Sequence, residues 1–315
     1  MVLRIDLTMD IFRFNRKKVA VAGVIASACC ILMIIFPTIA LYSARKGISL
    51  WISNVLPALL PFFICANFLQ AIGAMRCFKP GIFPFAMSVM SGYPMGAKII
   101  GDLRRSGDIS SEEAKRLVSF CSTSGPAFMV GAVGAGMLGS GFLGGIIAVS
   151  HYAGALINGI VYFKVINTGG SIDIKREERI CRIGIQESFT ESILSSFKAL
   201  GIILAYIVLF MFVTDLFHMC GIFSVFENQS IRALLKGFFE MTVGCGAVAE
   251  CREMAEGMKC VLCTAIMSWG GLSVLGQSMS MLSGSGVSFS YLFVSKMTHC
   301  IFSTAVSFII ASVVL

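Results

Sequence analysis

The sequence predicts an all-α polytopic membrane protein with two inverted structural repeats, re-entrant hairpins and broken helices, plus an N-terminal extra transmembrane helix. Composition is the first reason, because 57% of the residues are hydrophobic and only 13% are charged, whereas soluble globular chains are about 25% charged. Apolar runs long enough to cross a bilayer are the second reason. A similarity between the two halves of the chain is the third.

A chain that crosses hydrocarbon must pair its backbone N–H and C=O groups internally, and continuous apolar runs favour helices over barrel strands. The predicted apolar segments are 19–42, 50–74, 82–100, 117–139, 141–164, 196–217, 233–249, 258–282 and 289–313. Segment 82–100 contains two prolines and Lys98, and segment 233–249 contains Lys236 and Glu240. Because charges are costly inside a span, we predict that these two segments are re-entrant hairpins rather than full crossings.

The N-terminal region combines a basic stretch with a long apolar run. Residues 1–18 are rich in Lys and Arg and are predicted to be a cytoplasmic N-terminus. The run at 19–42 is too long for a signal-peptide core and precedes no convincing cleavage site, so we predict a retained N-terminal transmembrane helix. The net charge of +8 is explained by such membrane-edge residues, and nucleic acid is not an expected partner.

The distribution of Lys and Arg predicts the topology, since cytoplasmic loops carry the excess of positive charge. The loops at 101–116 and 165–195 are therefore placed inside. The short segment 43–49 is then outside, with Arg45 and Lys46 as exceptions to the rule.

An internal duplication is visible when the chain is shifted by 145 residues. The shift aligns several glycine and serine positions without a gap: Gly125 with Gly270, Gly131 with Gly276, and Gly139-Ser140-Gly141 with Gly284-Ser285-Gly286. We predict a first repeat at 50–164, a cytoplasmic connector at 165–195 and a second repeat at 196–315. The first repeat starts outside and the second inside, which is the inverted plan of many secondary transporters.

Enzyme and metal chemistry have little support in the residues. Most of the cysteines lie in apolar runs, where cysteine behaves as a small hydrophobe. Cys260 and Cys263 form a lone CxxC with no histidine at ligand spacing, so no metal site is expected. No hydrolase triad, P-loop or dinucleotide fingerprint appears, so we predict no catalytic residues, no cofactor and no enzymatic activity.

The first candidate solute site is the sequence SGYPMGAKII at 91–100. Gly and Pro break a helix there and free backbone groups that a solute or water can satisfy. Ser91, Gly92 and Tyr93 are predicted to bind solute. Lys98 lies just beyond the break and either balances solute charge or extends to the cytoplasmic edge of the membrane.

The second candidate is FCSTSGPAFMVGAVG at 120–134. Hydroxyl residues followed by Gly125 and Pro126 are typical of a helix start. A helix N-terminus within the membrane presents free N–H groups and a positive dipole end. Ser122, Ser124 and Gly125 are therefore predicted solute ligands, and the alternative is an ordinary kink.

The equivalent stretch in the second half is MSWGGLSVLGQ at 267–277. Its predicted solute ligands occupy the same positions relative to the break: Ser268, Gly270, Gly271, Ser273 and Gln277. Trp269 either stacks on a planar solute or is a packing aromatic.

Glu240 is an acid within an apolar segment and is followed by Thr242. Both are predicted to bind solute. Glu240 could alternatively carry a coupling proton, or form a structural pair with Lys236 four residues earlier.

His151 and Lys296 occupy equivalent positions in the two halves. They could face an anionic solute from two helices. The alternative is that they are hydrogen-bonded structural residues of the bundle.

The sequence SGYPMGAKI…DLRRSGDISSEEAKRLVSFCSTSGPAFMVGAVGAGML resembles the nucleoside-recognition, or Gate-domain, membrane proteins. It is most similar to their sporulation branch, the YlbJ-like integral membrane proteins, and GFFEMT and SWGGLSVLGQ are similar to the second half of that family. The resemblance covers roughly 50–310.

The resemblance implies a transporter that moves dipicolinate from mother cell toward forespore, in the outer forespore membrane. The wider family implies nucleoside or nucleobase transport instead, and a membrane scaffold for spore maturation is a third alternative. The expected partners are a small-molecule solute and the lipid bilayer, and a homo-oligomer remains open.

Overall fold

The computed structural model describes residues 16–73, 81–166 and 184–315. All regular elements in these ranges are helices, and several are long and apolar enough to span a bilayer. The predicted fold class is confirmed: the protein is an all-α, multi-pass membrane protein. Most of the predicted N-terminus 1–18 and the central part of the connector 165–195 lie outside the described residues.

The first helices correct the predicted N-terminal boundaries. Helix α1 (Arg16–Ile35) is followed by α2 (Pro37–Leu50), with a bend of 104° between their axes. The predicted single helix 19–42 is therefore two helices, because Pro37 has no N–H to continue α1 but suits the first turn of α2.

Helix α2 continues through a π-helical turn (Trp51–Val55) into α3 (Leu56–Ala71). The segment 43–49, predicted to separate two spans, is therefore helical, and Arg45 and Lys46 lie on α2; its placement outside stays a prediction. This segment contains no proline and one glycine, Gly47, so nothing in it ends a helix. Gly47 is buried where an added Cβ would lie 3.2 Å from Val208.

The rest of the first half consists of shorter helices around two breaks. Helices α4 (Ile82–Ser91) and α5 (Met95–Arg105) flank the first break. Helices α6 (Ser111–Cys121) and α7 (Ala127–Met137, of the π type) flank the second, and the long α8 (Gly141–Val165) closes the half.

The second half has the same order of elements. Helix α9 (Ile185–Met219) and a 3₁₀ turn (Phe223–Val225) precede α10 (Gln229–Phe239) and α11 (Met241–Ala249). Helices α12 (Glu256–Trp269), α13 (Gly271–Met281) and α14 (Phe289–Val314) follow. The starts of α6 and α12 differ by the predicted 145 residues. Helix α9 begins inside the predicted connector, because a helix can extend into water through polar turns.

Four stretches within the described ranges are long and apolar enough to cross a membrane: α8, α9, α12–α13 and α14; the bent pair α1–α2 makes a fifth if it counts as one span. Helices α4, α5, α10 and α11 have only 9 to 11 residues. A single helix needs about 20 residues to cross. Each predicted hairpin segment is thus a pair of short helices joined at a break.

Helices that are equivalent in the two halves pack against each other. The most extensive contact joins α8 to α14, and α9 lies along α2 and α3. Small residues such as Gly154 and Ser303 meet in the α8–α14 contact, which lets the two backbones approach closely. This central pair carries His151 and Lys296 and places them beside the helix breaks.

Candidate functional site

The two breaks of the first half touch each other through glycine. Gly92 has φ +82°, and a Cβ on it would lie 2.5 Å from the backbone nitrogen of Gly125. A Cβ on Gly125 would in turn lie 3.2 Å from the nitrogen of Gly92. Only glycine combines this backbone conformation with such a close approach. The α4–α5 break is therefore held directly against the α6–α7 break.

The second half repeats this arrangement with different residues. Gly271 has φ +81°, and its Cβ would lie 3.0 Å from the carbonyl oxygen of Phe239 and 3.2 Å from the Cα of Glu240. The α10–α11 break is thus held against the α12–α13 break. In the first half, Gly125 in the α6–α7 break contacts the α4–α5 break. In the second half, Gly271 next to the α12–α13 break contacts the α10–α11 break.

A cavity of about 260 Å³ lies where the breaks converge. Eight of the predicted solute ligands line it: Ser91, Gly92, Tyr93, Ser124, Gly125, Glu240, Thr242 and Gln277. The remaining wall is mostly apolar and includes Phe62, Phe128 and Met241. The Ser91 hydroxyl is buried and has no hydrogen-bond partner among the described residues. A mostly apolar cavity with a few polar groups is the usual form of a small-molecule site.

Glu240 is the charged residue of the cavity wall. It is 4% exposed, ends α10 and caps α11, with Oε2 accepting a 2.8 Å hydrogen bond from the backbone N–H of Val243. Lys236 is not its ion-pair partner within the described residues, because the Lys236 ammonium lies over the Phe223 ring at 5.9 Å. The carboxylate is therefore held by a helix end rather than by a basic side chain.

Two helix N-termini border the cavity. The first residues of α7, Ala127 and Phe128, line it, and so do the first residues of α11, Met241 and Thr242. The sequence predicted the N-terminus of α7 but not that of α11, since it placed the second helix start at 267–277. A helix N-terminus favours negative charge.

The structure places the other six predicted ligands away from the cavity wall: Lys98, Ser122, Ser268, Gly270, Gly271 and Ser273. Lys98 is buried and donates to Asn67 Oδ1 at 2.6 Å and to Asp102 Oδ2 at 2.8 Å. Its ammonium is therefore satisfied by these two side chains. Asn67 had no motif around it, and the sequence offered no signal for this partner.

The side chain of His151 connects the α6–α7 break to the α12–α13 break. The backbone N–H of Ser124 donates to His151 Nε2 at 2.9 Å, and His151 Nδ1 lies 2.8 Å from Ser268 Oγ. An imidazole ring therefore occupies the space between these breaks. This is why Ser268 approaches Ser124 without reaching the cavity.

Trp269 is a packing residue in this conformation. Its ring stacks on Phe238 with centroids 5.3 Å apart, and its Nε1 donates to the Phe238 carbonyl at 3.0 Å. Gln277 reaches the cavity wall while its Nε2 donates to Ser273 Oγ at 3.2 Å. Ser273 therefore supports a wall residue rather than forming the wall.

The comparison with known proteins is consistent with the membrane architecture. The chain is similar to the sporulation integral membrane protein YlbJ of Bacillus subtilis (strain 168). The two are 26% identical over an alignment of 313 positions, and the match covers 85% of this chain and 76% of the relative. No family model matches the chain, and no solved structure matches it.

Proposed function

We propose that this protein is a sporulation-associated membrane transporter of a small polar or anionic solute, with dipicolinate as the first candidate. The observation that carries the proposal is the cavity at the converging helix breaks, with eight predicted ligands in its wall. Broken helices around a central site are the usual binding architecture of secondary transporters.

The association with sporulation rests on similarity. The relative is a sporulation integral membrane protein, and the aligned region spans most of both chains. Dipicolinate, and a location in the outer forespore membrane, rest on the sequence resemblance to the sporulation branch.

The size and shape of the cavity suit a compact aromatic solute. Pockets for drug-sized ligands are about 300–1,000 Å³, so a cavity of about 260 Å³ suits a single substituted ring. The Tyr93 and Phe128 side chains offer aromatic surface in the wall, and the N-terminus of α7 favours a carboxylate group, whereas the N-terminus of α11 is already capped by Glu240.

A nucleoside or nucleobase is the second candidate, and one observation favours it. The described wall contains the Glu240 carboxylate and the Gln277 amide but no lysine or arginine. These groups match the N–H donors and carbonyl acceptors of a neutral heterocycle better than they match a dianion.

The test is uptake of radiolabelled dipicolinate and uridine, measured side by side in proteoliposomes with protein-free liposomes as the control. Saturable entry of dipicolinate supports the first candidate, and saturable entry of uridine alone supports the second. A protein that moves neither solute, although it is folded and inserted, would be a scaffold and would contradict the proposal.

A further inference from the structure

Two lysines are buried in the described part of the chain, and their surroundings differ. Lys98 forms an ion pair with Asp102 at 2.8 Å. Lys296 is 2% exposed, and no Asp or Glu among the described residues forms an ion pair with it. A buried charge is normally paired because desolvation is costly. Lys296 is thus the exception that needs an explanation.

The hydrogen-bond partners of Lys296 match a charged ammonium. Its Nζ lies 2.5 Å from Tyr93 Oη, 3.0 Å from the Ser122 carbonyl oxygen and 3.4 Å from His299 Nδ1. An ammonium has three N–H donors and no acceptor. The Tyr93 hydroxyl donates to the Met267 carbonyl at 3.2 Å, which leaves its oxygen free to accept from the lysine.

The two neighbouring histidines are uncharged in this arrangement. His151 Nε2 accepts the Ser124 N–H at 2.9 Å, so the ring proton is on Nδ1, which donates to Ser268. His299 Nε2 lies 3.0 Å from the His151 carbonyl and donates to it, which leaves Nδ1 to accept from Lys296. Of the groups described in this cluster, Lys296 is therefore the one whose hydrogen bonds suit a positive charge.

The remaining titratable group beside Lys296 is also engaged as a neutral donor. The Cys300 thiol donates to the Ala265 carbonyl at 3.3 Å. None of the described groups that contact Lys296 through hydrogen bonds is a carboxylate.

Tyr93 connects this cation to the cavity. It lines the cavity wall, and its ring centroid lies 4.4 Å from Lys296 Nζ. One side chain therefore lies between an uncompensated positive charge and the space where a solute would bind. In a low-dielectric interior, that charge acts on the contents of the cavity without touching them.

We infer that Lys296 is the cationic group that gives the cavity its preference for anionic solutes, and that Tyr93 is the wall between the two. The inference rests on the proposed transport function and deepens it by assigning the charge class of the solute. Lys296 offsets the repulsion from Glu240 on the wall, so a carboxylate-bearing ring is accepted at a site with no lysine or arginine in its described lining.

The test compares two probes of the same shape that differ in charge: dipicolinate and its uncharged diamide, pyridine-2,6-dicarboxamide. Affinities are measured calorimetrically on the full chain in lipid nanodiscs, for the wild type, Lys296→Met and the matched control Lys164→Met, which replaces an exposed lysine of α8. Lys296→Met is expected to weaken dipicolinate binding at least about tenfold, because the attraction of a nearby unit charge at an effective dielectric near 20 is lost. Binding of the diamide is expected to change less than about twofold.

Equal losses for both probes, or no loss for dipicolinate, would overturn the inference. Wild-type protein that binds the diamide but not dipicolinate would also overturn it, while leaving transport of a neutral solute intact. Wild-type protein that binds and moves neither probe nor uridine would defeat the proposed function as well.

A second variant tests the geometry if Lys296→Met does not fold. Tyr93→Ala opens the wall, so Lys296 is expected to become reactive toward a membrane-permeant amine reagent, which mass spectrometry detects. Bound dipicolinate is expected to protect it from the reagent. A lysine that stays unreactive in Tyr93→Ala, or that reacts equally with and without dipicolinate, would refute the assignment.

Discussion

Replacing Glu240 by Gln removes the negative charge of the cavity wall with little change in shape. The carboxylate caps α11 by accepting from the Val243 N–H at 2.8 Å, and the amide oxygen of Gln can accept the same bond. Loss of an N-cap to Ala costs about 0.5–2 kcal/mol, so Gln should cost less than ~1 kcal/mol. We therefore expect normal expression and a small fall in thermal stability.

The effect on binding should depend on the charge of the solute. A hydrogen bond to a charged group is worth about 1.5–3 kcal/mol and a neutral one about 0.5–1.5 kcal/mol. Glu240→Gln should therefore weaken uridine binding by about five- to tenfold. For dipicolinate the substitution removes a like charge, and affinity should rise by about tenfold or more.

The assay is titration of both solutes into wild type and Glu240→Gln, with Glu240→Ala as the variant that loses the cap altogether. The reasoning is refuted if Glu240→Gln expresses normally and binds both solutes as the wild type does. Loss of pH-driven accumulation with intact solute exchange would show instead that Glu240 carries a coupling proton. If Glu240→Gln fails to fold, the Glu240 carboxylate has a structural role only.

Three further outcomes are expected. Gly92→Ala should lower the free energy of unfolding by at least ~2 kcal/mol more than Gly73→Ala. Both residues have positive φ, but of the two only Gly92 touches another backbone. Equal losses of stability in thermal-shift measurements would contradict this contact. Lys98→Met leaves the buried Asn67 Oδ1 without its donor and Asp102 with Arg105 as its remaining ion-pair partner, and it should reduce stability by about 1–3 kcal/mol; reduced solute affinity at unchanged stability would instead support the solute-binding role predicted from sequence. Cysteine-accessibility labelling should place 101–116 and 165–195 on the cytoplasmic side and 218–230 outside, and finding 101–116 and 165–195 on opposite faces would overturn the predicted topology.

The sequence alone determined that this chain is a membrane protein and where several of its helices break. A chain of this apolar composition is stable in a bilayer rather than in water. Gly and Pro interrupt helices through local backbone chemistry. For the same reason the breaks at Gly92, Gly125 and Gly270 were visible without coordinates. The 145-residue repeat was visible as well, because duplicated breaks leave the same small residues at the same spacing.

The tertiary structure decided which of the residues near the breaks face the cavity. Lys98 follows a break but turns to Asp102, whereas Glu240 caps a helix at the cavity wall. Local sequence cannot make this distinction, because Lys98 is held by Asn67 of α3 as well as by Asp102, and the cavity beside Glu240 is built by helices distant in the chain. The bend at Phe36 was also missed although Pro37 marks it, because a proline in an apolar run is compatible with one kinked span as well as with two helices at 104°.

The charge of the central cluster likewise depended on contacts distant in sequence. His151 and Lys296 are equivalent by the repeat, but their protonation states differ. The His151 ring accepts a backbone N–H from Ser124, whereas the Lys296 ammonium donates to Tyr93. Protonation follows from the hydrogen-bond partners, and those partners are brought together only when α8 packs against α14. Sequence therefore determined the membrane fold and its broken helices, while the packing of the helices decided which group carries the charge beside the cavity.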